Sequence, residues 1–191
     1  LFEKEFSSDI PISQRSSTLR RLCLWALLKK AVSSEFVSEV LKENTDSTKA
    51  LIDTYSKWFN SPEPGKYVLF HDRLRSYLIQ KLSDHEVQEI NEQLIAYLEQ
   101  SLESSVGEES ELYALEHLST HMAVESQLEN NYNRLHAFVN REDLWPRQVR
   151  ASKEYKWSQK GVQYGIKEGA RRHDEMDSLN STINSTKKCR I

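Results

Sequence analysis

The chain has 191 residues, 38% of them hydrophobic and 29% charged, with a net charge of −3 at pH 7. That length allows one domain or two small ones with a sizeable core. The longest apolar run is Leu22–Leu28, too short to span a bilayer, and no signal peptide is visible. Cys23 and Cys189 stand far apart, which argues against a disulfide framework and fits a reducing, cytoplasmic compartment. The sequence opens at Leu1 with no Met, so a piece of a longer protein is expected.

Charge is unevenly placed. Residues 1–82 carry 13 Lys and Arg against 10 Asp and Glu; residues 83–140 carry 1 against 12; residues 141–191 carry 12 against 7. An acidic middle repels nucleic acid. It either attracts a basic partner or is simply a solvated helix surface.

Residues 1–12 have no clear period and read as a linker. After Pro11, Ser16 to Thr18 offer N-caps, and Leu19, Leu22, Cys23, Ala26 and Leu27 repeat at helical spacing to about Lys30. A short helix is predicted from about Glu35 to Lys42, with Phe36, Val37, Val40 and Leu41 on one side. A third runs from about Thr48 to Trp58, with Leu51, Ile52, Tyr55 and Phe59 in register. Ser61-Pro62-Glu63-Pro64-Gly65 then excludes helix and makes a turn.

The most informative stretch follows, Lys66 to Leu82. Tyr67 to Phe70 is aromatic and branched, a strand signal, with Trp58 to Asn60 as its expected partner. Leu74, Tyr77, Leu78 and Leu82 fall on one stripe of a helix from Asp72 to Leu82. Asp72 is expected to cap that helix. His71 would then lie beside its positive end, where an anion such as a phosphate is stabilised. From the residues alone, His71 is either a phosphate contact or an ordinary His preceding a capped helix.

Three helices, a Pro-Gly turn, a hairpin and a further helix form a winged-helix order. Such a domain can place its third helix in the major groove of DNA. Here that helix offers Lys49, Asp53 and Lys57, without the Arg, Asn or Gln that usually reads bases. DNA-binding regulation, with the rest of the chain as a dimerisation or sensing half, is therefore the alternative reading.

Further helices are predicted from the capping box Ser83-Asp84-His85-Glu86 onward: to about Leu102, from Glu111 to Val124, and from a second capping box at Ser126 and Glu129 through Val139. Trp145-Pro146 is expected to break the pattern. Residues from about Val149 to Arg172 read as one or two helices. Tyr155, Trp157, Val162, Tyr164 and Ile166 are their expected apolar positions, and Gly161, Gly165 and Gly169 their close-packing sites. Short loops between antiparallel helices imply a helical arm, TPR-like or the start of a repeat array. Residues 178–191 are Ser/Thr/Asn-rich and expected to be disordered. His117 and His121 have the spacing of two metal ligands on one helix, but core histidines are the favoured reading. Gly-rich phosphate loops and nucleophile motifs are absent from the sequence.

The wing-strand end Phe70-His71-Asp72, in the stretch YVLFHDRLRSYLIQKL, resembles the hydrophobic-His-Asp motif that closes the winged helix of STAND-class nucleotide switches of the NACHT and NB-ARC types. Tyr113-Ala114-Leu115-Glu116-His117-Leu118, followed by His121-Met122, resembles the start of the helical arm in that class. The likeness covers about residues 19–140. It implies a mainly α chain, with a winged-helix domain over 13–82 and a helical arm over 83–177. It also implies a partner P-loop domain, upstream and outside these residues, that holds ADP or ATP and can make the parent an ATPase. His71 would contact the ADP β-phosphate in the inactive state, and Asp72 would support the His71 corner. ATP exchange would free the arm for oligomerisation in signalling or defence. The P-loop, the metal-binding acidic strand and the sensor arginine of the class are absent from this sequence, so the chain alone is expected to be no enzyme, to hold no metal and to bind no nucleotide by itself. Neither nucleic acid nor membrane is an expected partner.

Overall fold

The computed structural model describes residues 12–104, 108–129 and 132–188. The expected linker therefore falls, except for Ile12, outside the described residues. The fold is mainly helical with a small three-stranded antiparallel sheet. Two compact units emerge, Leu1–Ala114 and Leu115–Ile191.

In the first unit the described elements are helix α1 (Ile12–Leu27), strand β1 (Val32–Ser33), α2 (Ser34–Leu41), α3 (Thr45–Thr54), a 3-10 turn (Ser56–Trp58), β2 (Phe59–Glu63), β3 (Lys66–Leu69), α4 (Asp72–Gln80) and α5 (Asp84–Ser104). Helix α6 (Glu108–Glu129) begins there and continues into the second unit. The centre of the first unit is α1. Leu22 to Leu28 are buried on every side of the helix, which explains an apolar run with no polar face. α4, α5 and α2 pack around it. α5 thus lies with the first unit, where the sequence reading has it open the arm. Cys23 is enclosed in this core, and burial pushes its thiol pKa up to about 12.

β3 is the central strand, with β1 and β2 antiparallel on either side. Phe59 faces Leu69 and Asn60 faces Val68, the expected hairpin. β1 is only two residues long and pairs Val32 with Tyr67. The Ser33 hydroxyl accepts from the Phe36 amide at 3.1 Å, capping α2, and donates to the Glu109 carboxylate at 2.6 Å. One serine therefore ends the strand, starts a helix and ties α6 to the sheet. The Ser83 capping box forms as expected: Glu86 accepts from the Ser83 amide at 2.9 Å, and the Ser83 hydroxyl accepts from the Glu86 amide at 3.3 Å.

The second unit holds the rest of α6, then α7 (Asn133–Val139), α8 (Leu144–Ser152) and α9 (Lys156–Lys188). Several expectations are corrected here. Ser126 opens no helix, because α6 runs through it to Glu129. Pro146 does not break the pattern; it sits in the first turn of α8, where its missing N–H leaves no bond unmade. The apolar positions expected here are not all core: Tyr155, just before α9, is 60% exposed, Val162 48% and Ile166 67%, while Trp157 and Tyr164 are half-buried. Among the described side chains of α9, the buried ones are Ser158, Gly161 and Glu168. A Cβ on Gly161 would lie 3.6 Å from Val139 and one on Gly165 3.3 Å, so both glycines allow α9 to approach α7. Gly169 faces open space. The backbone of α9 stays helical to Lys188, through most of the stretch expected to be disordered; residues 189–191 lie outside the described ones. His117 and His121 are buried, and no metal-binding cluster occurs among the described residues.

Candidate functional site

The Phe70-His71-Asp72 corner is built by two constraints. On one side, ladder pairing extends past β3, with the Phe70 amide donating to the Trp58 carbonyl at 2.8 Å. On the other, Leu74 and Leu78 are buried and fix α4 against α1. The chain must turn from strand to helix in the residues between. His71 keeps an extended backbone, with φ −136° and ψ 130°, and its carbonyl accepts from Leu74 at 3.0 Å and Arg75 at 3.1 Å, starting the helix.

The cap is not Asp72. His71 itself is the N-cap, its Nδ1 accepting from the Arg73 amide at 3.1 Å. Asp72 is the first helical residue, with its carboxylate fully exposed and 4.0 Å from Arg75. The local reason is register. The buried positions Leu74 and Leu78 set where the helix begins, and that puts His71 rather than Asp72 at the last extended residue. Asp72 still favours the helix as a negative charge in its first turn. It makes no hydrogen bond to His71, so the ring is held by the Arg73 amide and not by the expected carboxylate.

This arrangement has a chemical consequence. With Nδ1 used as an acceptor, a neutral imidazole carries its proton on Nε2. The corner therefore presents one N–H donor to solvent beside the positive end of a nine-residue helix. Phe70 lies next to it, 70% exposed, its ring centroid 6.0 Å from the imidazole. An exposed Phe and an oriented His form an apolar-plus-donor patch.

Arg75, which sequence reasoning passed over, braces the corner. Its guanidinium donates to the Leu28 carbonyl at 2.6 Å and to the Ala26 carbonyl at 3.5 Å. These carbonyls lie at the negative end of α1. Arg75 thereby locks the start of α4 to the end of α1. Its partners are 47 and 49 residues away, so no local pattern announces them.

On α3 the charged side chains are mixed in sign. Lys49 is paired with Glu35 at 2.9 Å, an interaction that raises the Lys49 pKa and lowers that of Glu35. Asp46 and Asp53 are exposed on the same helix. At the turn between β2 and β3, Lys66 is paired with Glu63 at 2.9 Å.

No described helix is long and apolar enough to cross a membrane. Comparison with protein-family models, with curated proteins and with solved structures returns no match for this chain.

Proposed function

We propose that this chain is the winged-helix and helical-arm part of a STAND-class nucleotide switch, and that His71 donates its Nε2 proton to a phosphate oxygen of ADP. The observation that carries the reading is the capped His71: its Nδ1 accepts from the Arg73 amide, which leaves Nε2 as the ring's outward donor position at an exposed helix N-terminus. The order helix, strand, two helices, two strands and helix, with β3 central, supports a winged helix.

A single donor contributes too little to hold a diphosphate against the cost of association. The P-loop domain that would supply most of the affinity lies outside these residues. In this reading Phe70 packs on that domain and His71 closes over the phosphate, so the inactive state is held by nucleotide. Exchange for ATP releases the contact, and the unit swings away for oligomerisation. The DNA-binding alternative gains nothing from the paired Lys49 and the exposed Asp46 and Asp53.

The test is the dissociation rate of a fluorescent ADP from the full-length protein. His71→Asn keeps a capping acceptor but loses Nε2. A lost charge-assisted hydrogen bond of ~1.5–3 kcal/mol speeds release by about tenfold or more. Release at the wild-type rate would overturn the assignment.

A further inference from the structure

The first turn of α4 is closed by an acceptor that a proton can remove. The cap bond runs from the Arg73 amide to Nδ1 of His71, 3.1 Å long, and it exists only while Nδ1 keeps its lone pair. Protonation puts a hydrogen on that nitrogen. The ring then turns an N–H toward an N–H, and a positive charge stands at the positive end of a helix. Both changes oppose the bond. An imidazole ordinarily changes charge between about pH 5 and 8. Ser, Thr, Asn and Asp, the usual caps, go on accepting throughout that range.

The rest of the corner confines the effect. The Phe70 amide donates to the Trp58 carbonyl at 2.8 Å, and the His71 carbonyl accepts from Leu74 and Arg75 at 3.0 and 3.1 Å. Leu74 and Leu78 are buried, and Arg75 donates to the Leu28 carbonyl at 2.6 Å. None of these contacts uses the imidazole. Losing the cap therefore leaves β3 paired and α4 seated, and frees the Arg73 amide and the ring.

No second group holds the ring. Among the described residues its partners are the Arg73 amide and the Phe70 ring, 6.0 Å away between centroids. On its own helix the Asp72 carboxylate is fully exposed and 4.0 Å from Arg75, and neither it nor the Arg73 guanidinium bonds the imidazole. The elements behind the corner are α1, β2 and β3. Their described charged residues are Arg20, paired with Glu89 at 3.1 Å, Arg21, paired with Glu43, and Glu63 and Lys66, paired with each other at 2.9 Å. Neither these nor Lys57 of the 3-10 turn pairs with the ring. Among the described residues no carboxylate is in place to hold an imidazolium, and the unprotonated ring is the form the cap needs.

We propose that His71 is a proton-operated helix cap: unprotonated, it closes the start of α4 through Nδ1; protonated, it lets go of the Arg73 amide and the strand-to-helix corner opens by one hydrogen bond. Acidification thereby changes the charge and the shape of the exposed Phe70-His71 patch while the unit stays folded. The cap contributes stability above the imidazole's titration range, and that contribution is lost as pH falls through it. The inference rests on the cap geometry and not on the nucleotide reading, so either can fail without the other.

The test is nitrogen NMR on the intact, 15N-labelled chain. An N–H···N hydrogen bond carries a coupling between its two nitrogens, so the Arg73 amide nitrogen and His71 Nδ1 give a cross-peak at pH 8. That cross-peak vanishes at pH 5, while the Phe70 and Leu78 amides keep their protection from exchange. The second readout is the ratio of the first unit's unfolding constants in wild type and His71→Asn, from urea titrations at pH 8 and pH 5. Asn caps at both, and the other histidines titrate in both proteins, so the change in the ratio isolates His71. From pH 8 to pH 5 the ratio moves against the wild type by about threefold or more. A missing cross-peak at pH 8, a cross-peak that persists at pH 5, or a ratio that does not change with pH would overturn the proposal. So would loss of the Phe70 or Leu78 protection at pH 5, which would show a corner that melts instead of uncapping.

Discussion

Arg75→Ala removes the brace between α4 and α1. The guanidinium donates a short bond to the Leu28 carbonyl and a longer one to Ala26, with its side chain 19% exposed and Leu28 fully buried. A charged hydrogen bond to a carbonyl contributes ~1.5–3 kcal/mol, and a cation at a helix C-terminus adds about 0.3–1 kcal/mol. Partial water access in the variant offsets some of this, so a loss of about 2–3 kcal/mol is expected. At a urea slope of roughly 1–3 kcal/mol per molar, the midpoint of the first unit's transition falls by about 1 M. Arg75→Lys restores charge but not the fork and should recover less than half of the loss. The assay is urea unfolding followed by tryptophan fluorescence, since Trp25 is buried in the core beside Phe59. A midpoint within about 0.2 M of wild type for Arg75→Ala would refute the reasoning.

Three other outcomes are expected. Arg141 and Arg147 hold the Asp143 carboxyl down to about 2, from an ordinary 3.8. A depressed folded pKa stabilises above the unfolded value and is lost as pH falls toward the folded one, so the second unit should lose melting temperature between about pH 4 and pH 2, and Asp143→Asn should lose that dependence. Gly169→Ala should raise the melting temperature, by the ~0.8–1 kcal/mol of helix propensity, because nothing lies within 4 Å of its Cβ. Gly165→Ala should gain less, because its Cβ meets Val139 at 3.3 Å. Cys23, buried and with its thiol pushed up to about 12, should resist dithionitrobenzoate at pH 8 in a Cys189→Ser background and react only as the first unit unfolds. Rapid labelling of the native chain would contradict that core.

Much of the first unit was legible because its signals are local. Leu74 and Leu78 give the face of α4, Tyr67 to Leu69 give a strand, and Ser83 with Glu86 gives a helix start. β1 was not legible, since two residues carry no period, and its Ser33 is held by Glu109, 76 residues away. The same pattern that works at Ser83 misleads at Ser126, because a Ser and a Glu three apart also occur inside helices. The cap at His71 depended on register, which the buried leucines decide and the capping preference of Asp72 does not. α9 shows a different limit. Periodicity reports that Tyr155, Val162 and Ile166 share a face, but not whether anything covers it. Only packing shows that Gly161 and Ser158 lie inward.

The most direct test of the central claim is the nucleotide content of the full-length protein as purified, wild type against His71→Asn. The account predicts bound ADP in the wild type and its loss from the variant after gel filtration, with an unchanged melting transition for the first unit, because Asn still accepts from the Arg73 amide. ADP retained equally by both proteins, or absent from both, would contradict a nucleotide-holding role for His71.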